Sequence, residues 1–467
     1  MNEMLIFTAL WTFFVAFILF SITVIMHEVG HFLAARRKGL VIERFAIGFG
    51  PKMIGWKYND VEYVINWLPF GGFVQLPQMA DMEMVEGDSS LDVAKLPPVS
   101  PWAKIVTAFW GPLFSFLFAV FLSVIVWQVG VPQNSIMLTT TIGFIEPGSP
   151  AAQAGLKPGD RILSVDGQPV TRWSGRAGGI VESILLSLNQ TIHFDIERSG
   201  KILSFEVNPM TDPEMEGMRI VGFENYMAQD LVVGEIFPDS PAAQAGLRKG
   251  DRVVSLDDHL MYVPVQVFSY VQDSTAPIKI TYFRNKQSQT VILKPGVATN
   301  HKGKLLGIAW DMNPVTLVKI SPVEQITNSL AFIFKTLRAV GSPHSNVQVR
   351  HLSGPIGIFD RLMTLLTTDP RLVLYFTVIL NVNLAVVNLL PIPILDGGHI
   401  VLSFLEMIRG RTLSPRWMYN IQMGFFVILA TFFLFVTYYD VWRVGKHWRG
   451  MMNKPVPIEA PRFTPSN

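Results

Sequence analysis

Four uncharged apolar stretches, residues 4–26, 105–129, 372–395 and 417–439, limit the folds open to this chain more tightly than any other feature. Each reaches the roughly 20 helical residues that cross a hydrocarbon core. Of the 467 residues 49% are hydrophobic and 16% charged, too apolar for an ordinary soluble protein, and the excess sits in discrete blocks. The first block does not read as a cleaved signal peptide. No basic residue precedes it, its apolar run is too long, and no small-x-small site follows. The expectation is a polytopic α-helical membrane protein with four transmembrane helices.

Lys and Arg near the helix ends set the orientation. Arg36, Arg37 and Lys38 follow the first block, Lys104 precedes the second, and Arg409, Arg411 and Arg416 separate the third from the fourth. Both short connections are therefore expected in the cytoplasm, with residues 130–371 and both termini outside. Arg443, Lys446 and Arg449 argue the other way, but the first helix usually dominates. A formal net charge of +2, without a block of like charges, suggests no nucleic-acid surface. Cysteine is absent, which excludes disulfides and thiolate ligands. Any metal must then be held by His, Asp or Glu.

Between the first two blocks, residues 44–47, 61–67 and 73–76 read as strands, punctuated by Gly48, Gly50, Pro51, Pro69, Gly71 and Gly72. Apolar Phe45, Phe49, Met53, Trp56, Trp67, Phe70 and Phe73 suit a sheet that dips into the membrane or packs on the helices. Residues 77–100, acidic and rich in Pro and Ser, read as a loose loop.

The outer segment is internally duplicated. Ser149-Pro-Ala-Ala-Gln-Ala-Gly-Leu-Lys-Pro-Gly-Asp-Arg161 recurs from Ser240 to Arg252 with eleven of thirteen positions identical. Ser149 and Ser240 suit the cap of a short helix, with Pro150 and Pro241 at its first position. Gly155 and Gly246 suit its left-handed end. A β-rich run follows each copy, and the first then turns at Asp166-Gly167. The two units resemble the PDZ domains of bacterial membrane proteases, α+β modules that take an extended segment by strand addition. Spacers or steric guards with empty grooves are the alternative. Further on, Val323, Ile326, Leu330, Ile333, Phe334, Leu337 and Val340 make one helical stripe, suited to the membrane surface or to packing on the repeat pair.

The chain thus divides into a first membrane helix (1–39), a membrane-associated β region with a cytoplasmic loop (40–100), a second membrane helix (101–130) and two repeat units (131–223 and 224–311). Amphipathic helices (312–370), a third membrane helix (371–400) and a fourth with a C-terminal tail (401–467) follow.

His27-Glu28-Val29-Gly30-His31 carries the chemistry. On a helix His27 and His31 lie one turn apart on one face, so both imidazoles reach a single zinc. Glu28, beside that face, is placed to take a proton from a water at the metal. Ionisable groups at the end of an apolar span cost roughly 2–3 kcal/mol each or more, and such residues are usually functional.

A third ligand is needed. Asn388-Leu-Leu-Pro-Ile-Pro-Ile-Leu-Asp396-Gly-Gly-His399 closes the third block. Spans that alternate in direction put the ends of the first and third on the same side, whichever way the chain inserts. Asp396 then lies at the depth of His31, although Asp-Gly is also a plain turn signal. His399 is a competing ligand, near enough in sequence to reach the same site. Pro391 and Pro393 should break the helix, which is tolerated at membrane depth where backbone lines a cavity or protein interior. Asn388 suits either a substrate or oxyanion contact or an interhelical hydrogen bond.

With these motifs in order, the chain resembles the site-2 protease family of intramembrane zinc metalloproteases over nearly its whole length. The resemblance implies a metalloendopeptidase with one zinc per chain, held by His27, His31 and Asp396, with Glu28 as base and Asn388 near the substrate. It implies that Gly71, Gly72 and Phe73 belong to a membrane-associated β-hairpin that pairs with unwound substrate. It further implies a bacterial inner-membrane location with periplasmic PDZ domains and an active site toward the cytoplasm. The implied substrates are single-span membrane proteins, an anti-sigma factor of the envelope stress response or remnant signal peptides, with the PDZ pair as a size filter. In the second block Ser115 stands where many relatives have Asn, so no role carries over to that position. A PDZ adaptor with an inert core and a zinc hydrolase of lipids are the rival classes.

Overall fold

The structure, a computed structural model, describes residues 2–79, 91, 95–175, 178–213, 216–225, 231–261, 263–301, 303–311, 315–452 and 461–463. Most of the expected loose loop, residues 80–90 and 92–94, lies outside them. The chain divides into two compact units: residues 1–131, 318–334 and 349–446, and residues 132–317, 335–348 and 447–467.

The first unit is built on four long apolar helices, Asn2–Lys38, Pro101–Val129, Pro370–Asn388 and Pro415–Met452. All four are long and apolar enough to cross a membrane. Starts are locally encoded: Ser100 caps the second helix through Ala103 N, and Asp369 caps the third through Arg371 N at 2.9 Å. The third helix ends at Asn388 instead of running to residue 395. Pro391 and Pro393 lack the donors a helix needs, and residues 389–395 form a tight loop closed by Ile392 N to Leu390 O and Leu395 N to Ile392 O.

Two amphipathic helices support this bundle. In Pro322–Val340, Ile326 and Leu330 pack with Ala119, Leu122 and Val126 of the second long helix and Val378 and Val382 of the third. Buried Gln325 fixes that contact by donating to Ser123 O at 3.0 Å. Ile326 and Leu330 of the stripe therefore cover the long helices, while Val323 stays exposed. Pro355–Thr368 places Leu362 and Leu365 against Ala16 and Val373.

The three strands read from the sequence are two long ones, Arg44–Tyr58 and Val61–Gln75, joined by a turn with Asn59 and Asp60 at φ 48° and 62°. Residues 44–47 pair with 72–75 and also lie beside 62–65, so the ribbon folds back on itself. Gly48, Gly50 and Gly71 have φ between 82° and 87°, which lets the strands bend where shorter elements were expected to stop. Among the described residues no further strand pairs with the outer edge of 72–75.

In the second unit the two repeats form matching modules. Strands 161–165, 192–198 and 201–207 in the first correspond to 252–256, 278–284 and 287–293 in the second. The second module's sheet ends on the edge strand Ile308–Trp310. Both repeats carry the cap contacts their sequence encodes, Ser149 Oγ to Ala152 N and Ser240 Oγ to Ala243 N.

The repeated Asp is the buried linchpin of each module. Asp160 takes Arg198 through both carboxylate oxygens at 2.6 and 2.7 Å, and Asp251 takes Arg284 at 2.7 Å twice. Each carboxylate also accepts the backbone N–H three residues earlier. Asp251 is buried but Arg284 is partly exposed, so removing the carboxylate loses its charge-assisted hydrogen bonds, at a cost of about 1.5–3 kcal/mol, without stranding a fully buried charge. Asp251→Ala should therefore destabilise the second module by that amount, read as lost hydrogen-exchange protection across residues 231–293. Protection equal to the parent chain would contradict this assignment.

Candidate metal centre

The first long helix continues to Lys38, so His27, Glu28 and His31 all lie within regular helix. The four-residue spacing stacks the two imidazoles on one face, with centroids 4.8 Å apart and rings nearly perpendicular. Both histidines are buried, and their Nε2 atoms are 3.1 Å apart.

Asp396 arrives from the other side as the first residue of the helix Asp396–Arg409. Its Oδ2 lies 3.1 Å from His27 Nε2 and its Oδ1 3.3 Å from His31 Nε2. The two glycines that follow make this placement possible. A Cβ at Gly397 would overlap the carbonyl oxygens of Leu389 and Leu390, and one at Gly398 would overlap that of Ile392. The proline-broken loop can fold tightly against the helix start only because both positions lack a side chain.

The second long helix supplies the floor. A Cβ at Gly30 would overlap Trp110 O, and one at Gly111 would overlap His31 Nε2 itself. His31 Nδ1 meets Thr107 O at 2.9 Å, and His27 Nδ1 meets Ser115 Oγ at 3.1 Å. A carbonyl only accepts, so His31 Nδ1 carries the proton and Nε2 presents its lone pair. Pro112, lacking an N–H, leaves the carbonyl of Ala108, next to Thr107, without its helical donor.

These donors fit zinc. Two ligand atoms about 2.0–2.1 Å from one zinc at the tetrahedral angle lie roughly 3.3 Å apart, close to the three separations found here. Asp396 Oδ2 is buried and, among the described residues, has no well-aligned hydrogen-bond donor. Two imidazoles and one carboxylate, with a fourth position left for water or substrate, is a donor set of catalytic zinc.

The other expected residues are placed as follows. Glu28 is half-buried beside the triad; a Cβ built on Gly72 would lie 3.5 Å from Glu28 Cγ and 2.8 Å from Ala46 O. The Gly72 backbone thus abuts the carboxyl-bearing side chain directly. Phe73 is buried and stacks on Phe49 at 6.0 Å. Gly71 holds the bend at φ 87°. Asn388 Nδ2 lies 3.4 Å from His27 Nε2, at the edge of the centre. His399 stands outside the cluster formed by His27, His31 and Asp396. Thr107 and Gly111 were not singled out by motif reading, and Ser115 was marked only as standing where many relatives have Asn.

A model described as peptidase family M50 matches residues 15–432. A protein of Pasteurella multocida named as a putative zinc metalloprotease is 30% identical over 455 residues, spanning 91% of this chain and 98% of that one. The regulator of sigma-E protease RseP of Salmonella typhimurium is 28% identical over 450 residues, with the same shares covered. Among solved structures, the PDZ domain of an SdrC-like protein from Listeria monocytogenes is 19% identical over 18% of this chain and 88% of that one, with a TM-score of 0.17. The chain belongs to peptidase family M50 and is a metalloprotease.

Proposed function

We propose that this chain is an intramembrane zinc metalloprotease of the bacterial inner membrane that cleaves single-span membrane proteins within or near the bilayer. The observation that carries this reading is the convergence of His27, His31 and Asp396 within 3.1–3.3 Å of one another, on helices apolar enough to cross a membrane.

The residues divide the work. Zinc held by His27, His31 and Asp396 would supply Lewis acidity, polarising the scissile carbonyl and bringing the pKa of an attacking water toward 7. Glu28 accepts that water's proton and delivers it to the leaving amine. The Asn388 amide, beside His27, holds a substrate carbonyl or its developing negative charge. A helical substrate must unwind first, and bare backbone is costly in lipid. The outer side of residues 72–74, where Val74 backbone already bonds Glu28, would offer replacement hydrogen bonds by strand addition, with Gly72 bringing the added strand alongside Glu28. Phe73 serves the sheet's interior, so substrate contact at Gly71-Gly72-Phe73 is a backbone matter.

A relative named regulator of sigma-E protease points to control of a sigma factor, in keeping with the anti-sigma factor that the family resemblance implies as substrate; remnant signal peptides share the same single-span form. With the orientation set by Lys and Arg, residues 130–371 face the periplasm and the centre lies toward the cytoplasm. The PDZ-like pair then filters substrates by the size of their outer domains. Deletion of residues 140–311 should allow untrimmed single-span proteins to be cut. If they stay intact while trimmed ones are still cleaved, the filter is excluded.

The direct test is cleavage of a panel of single-span proteins by the purified chain in liposomes, alongside lipid ester substrates. Products cut within or next to the spanning segment, lost with a zinc chelator and regained with zinc, are expected. Lipid hydrolysis without peptide cleavage would favour the lipase reading, and a chain isolated without metal would favour the adaptor.

A further inference from the structure

We propose that Ser115 is a positioning residue for the metal centre: its hydroxyl accepts from His27 Nδ1–H and so aims His27 Nε2 at the site shared with His31 and Asp396. The inference rests on the zinc reading above and concerns a position to which no role carried over from the motif comparison.

The two histidines are steered by unlike groups. His31 Nδ1 faces a backbone carbonyl, Thr107 O, which fixes its tautomer without any side chain. His27 Nδ1 faces the Ser115 hydroxyl at 3.1 Å, a group that both donates and accepts. Only one of its two arrangements leaves His27 Nε2 with a free lone pair, the one in which Nδ1 carries the proton and Ser115 Oγ accepts it. Ser115 is fully buried, and among the described residues this is the hydroxyl's one partner. The helix that carries Ser115 also carries Gly111 and Thr107, so one face of that helix seats both imidazoles.

Of the contacts that orient the two rings, the one to His27 is made by a side chain that substitution can remove. Outer groups of this kind typically change metal affinity by about 10–100-fold when deleted. Ser115→Ala removes the acceptor with little change in volume, and Ser115→Cys, somewhat larger, offers only a weak acceptor. Ser115→Thr keeps the hydroxyl.

The experiment measures zinc release from the purified full-length chain into a coloured chelator, with the visible absorption of the cobalt-substituted chain as a second readout. Ser115→Ala and Ser115→Cys should release zinc about 10–100-fold faster and shift the cobalt bands. Ser115→Thr should stay within about threefold of the parent, and the zinc-free forms should melt together. Release from Ser115→Ala at the parent rate overturns the proposal, as does equally fast release from Ser115→Thr, which would mark a packing role. A parent chain that binds no zinc would overturn the metal reading itself, an outcome distinct from both.

Discussion

Replacing Glu28 with Gln is expected to lower peptide cleavage by roughly 10²–10⁴-fold while zinc stays bound. The two side chains share shape and length, so the helix and its neighbours His27 and His31 are undisturbed. What changes is chemical: an amide cannot accept the proton that the attacking water must lose. Glu28 lies outside the triad of converging ligand atoms and against the Gly72 backbone, so the change leaves all three ligands in place. Zinc content and rate should therefore separate. Turnover at the parent rate would reject Glu28 as the base, and loss of zinc along with activity would make it a structural group instead.

A second large effect is expected far from any acid or base. Gly397→Ala adds one methyl where the Leu389 and Leu390 carbonyl oxygens already fill the space. Both obstacles are backbone, so neither can swing aside like a side chain. Either the loop at residues 389–395 or the start of the helix Asp396–Arg409 must move, and Asp396 is the first residue of that helix. A displacement near 1 Å at a catalytic group costs on the order of 10²-fold in rate. Gly397→Ala should lose activity by that much and release zinc faster. Gly424→Ala, on the fourth long helix with no atom near the added methyl, should match the parent in both measurements. Equal behaviour of the two variants would contradict the packing that presents Asp396.

How far the sequence could be read depends on the distance over which each feature is encoded. The spacing of His27 and His31 is a local rule of helix geometry, and the alternation of spans brings Asp396 to the depth of His31 before any coordinates. The duplicated Ser-Pro cap of the repeats was similarly legible, since each copy writes its own helix start, whereas the buried pairing of Asp160 and Asp251 with distant arginines was not. The β ribbon was read too short because Gly48, Gly50 and Gly71 signal an interruption, whereas in context they bend a continuing strand. The third helix was read too long because hydropathy continues through residue 395 although prolines have ended the hydrogen bonding. Thr107 could not be found by motif, and at Ser115 the motif marked the position without its partner. Their partners lie 76 and 88 residues away, and only the crossing of two helices, permitted by Gly30 and Gly111, makes them neighbours.

Zinc K-edge X-ray absorption on the purified chain tests the central claim most directly. Two imidazole nitrogens and a carboxylate oxygen at about 2.0–2.2 Å are expected, with the oxygen contribution altered and the metal readily lost in Asp396→Ala. A spectrum unchanged by that substitution, or a chain carrying no zinc in its parent form, would contradict the account.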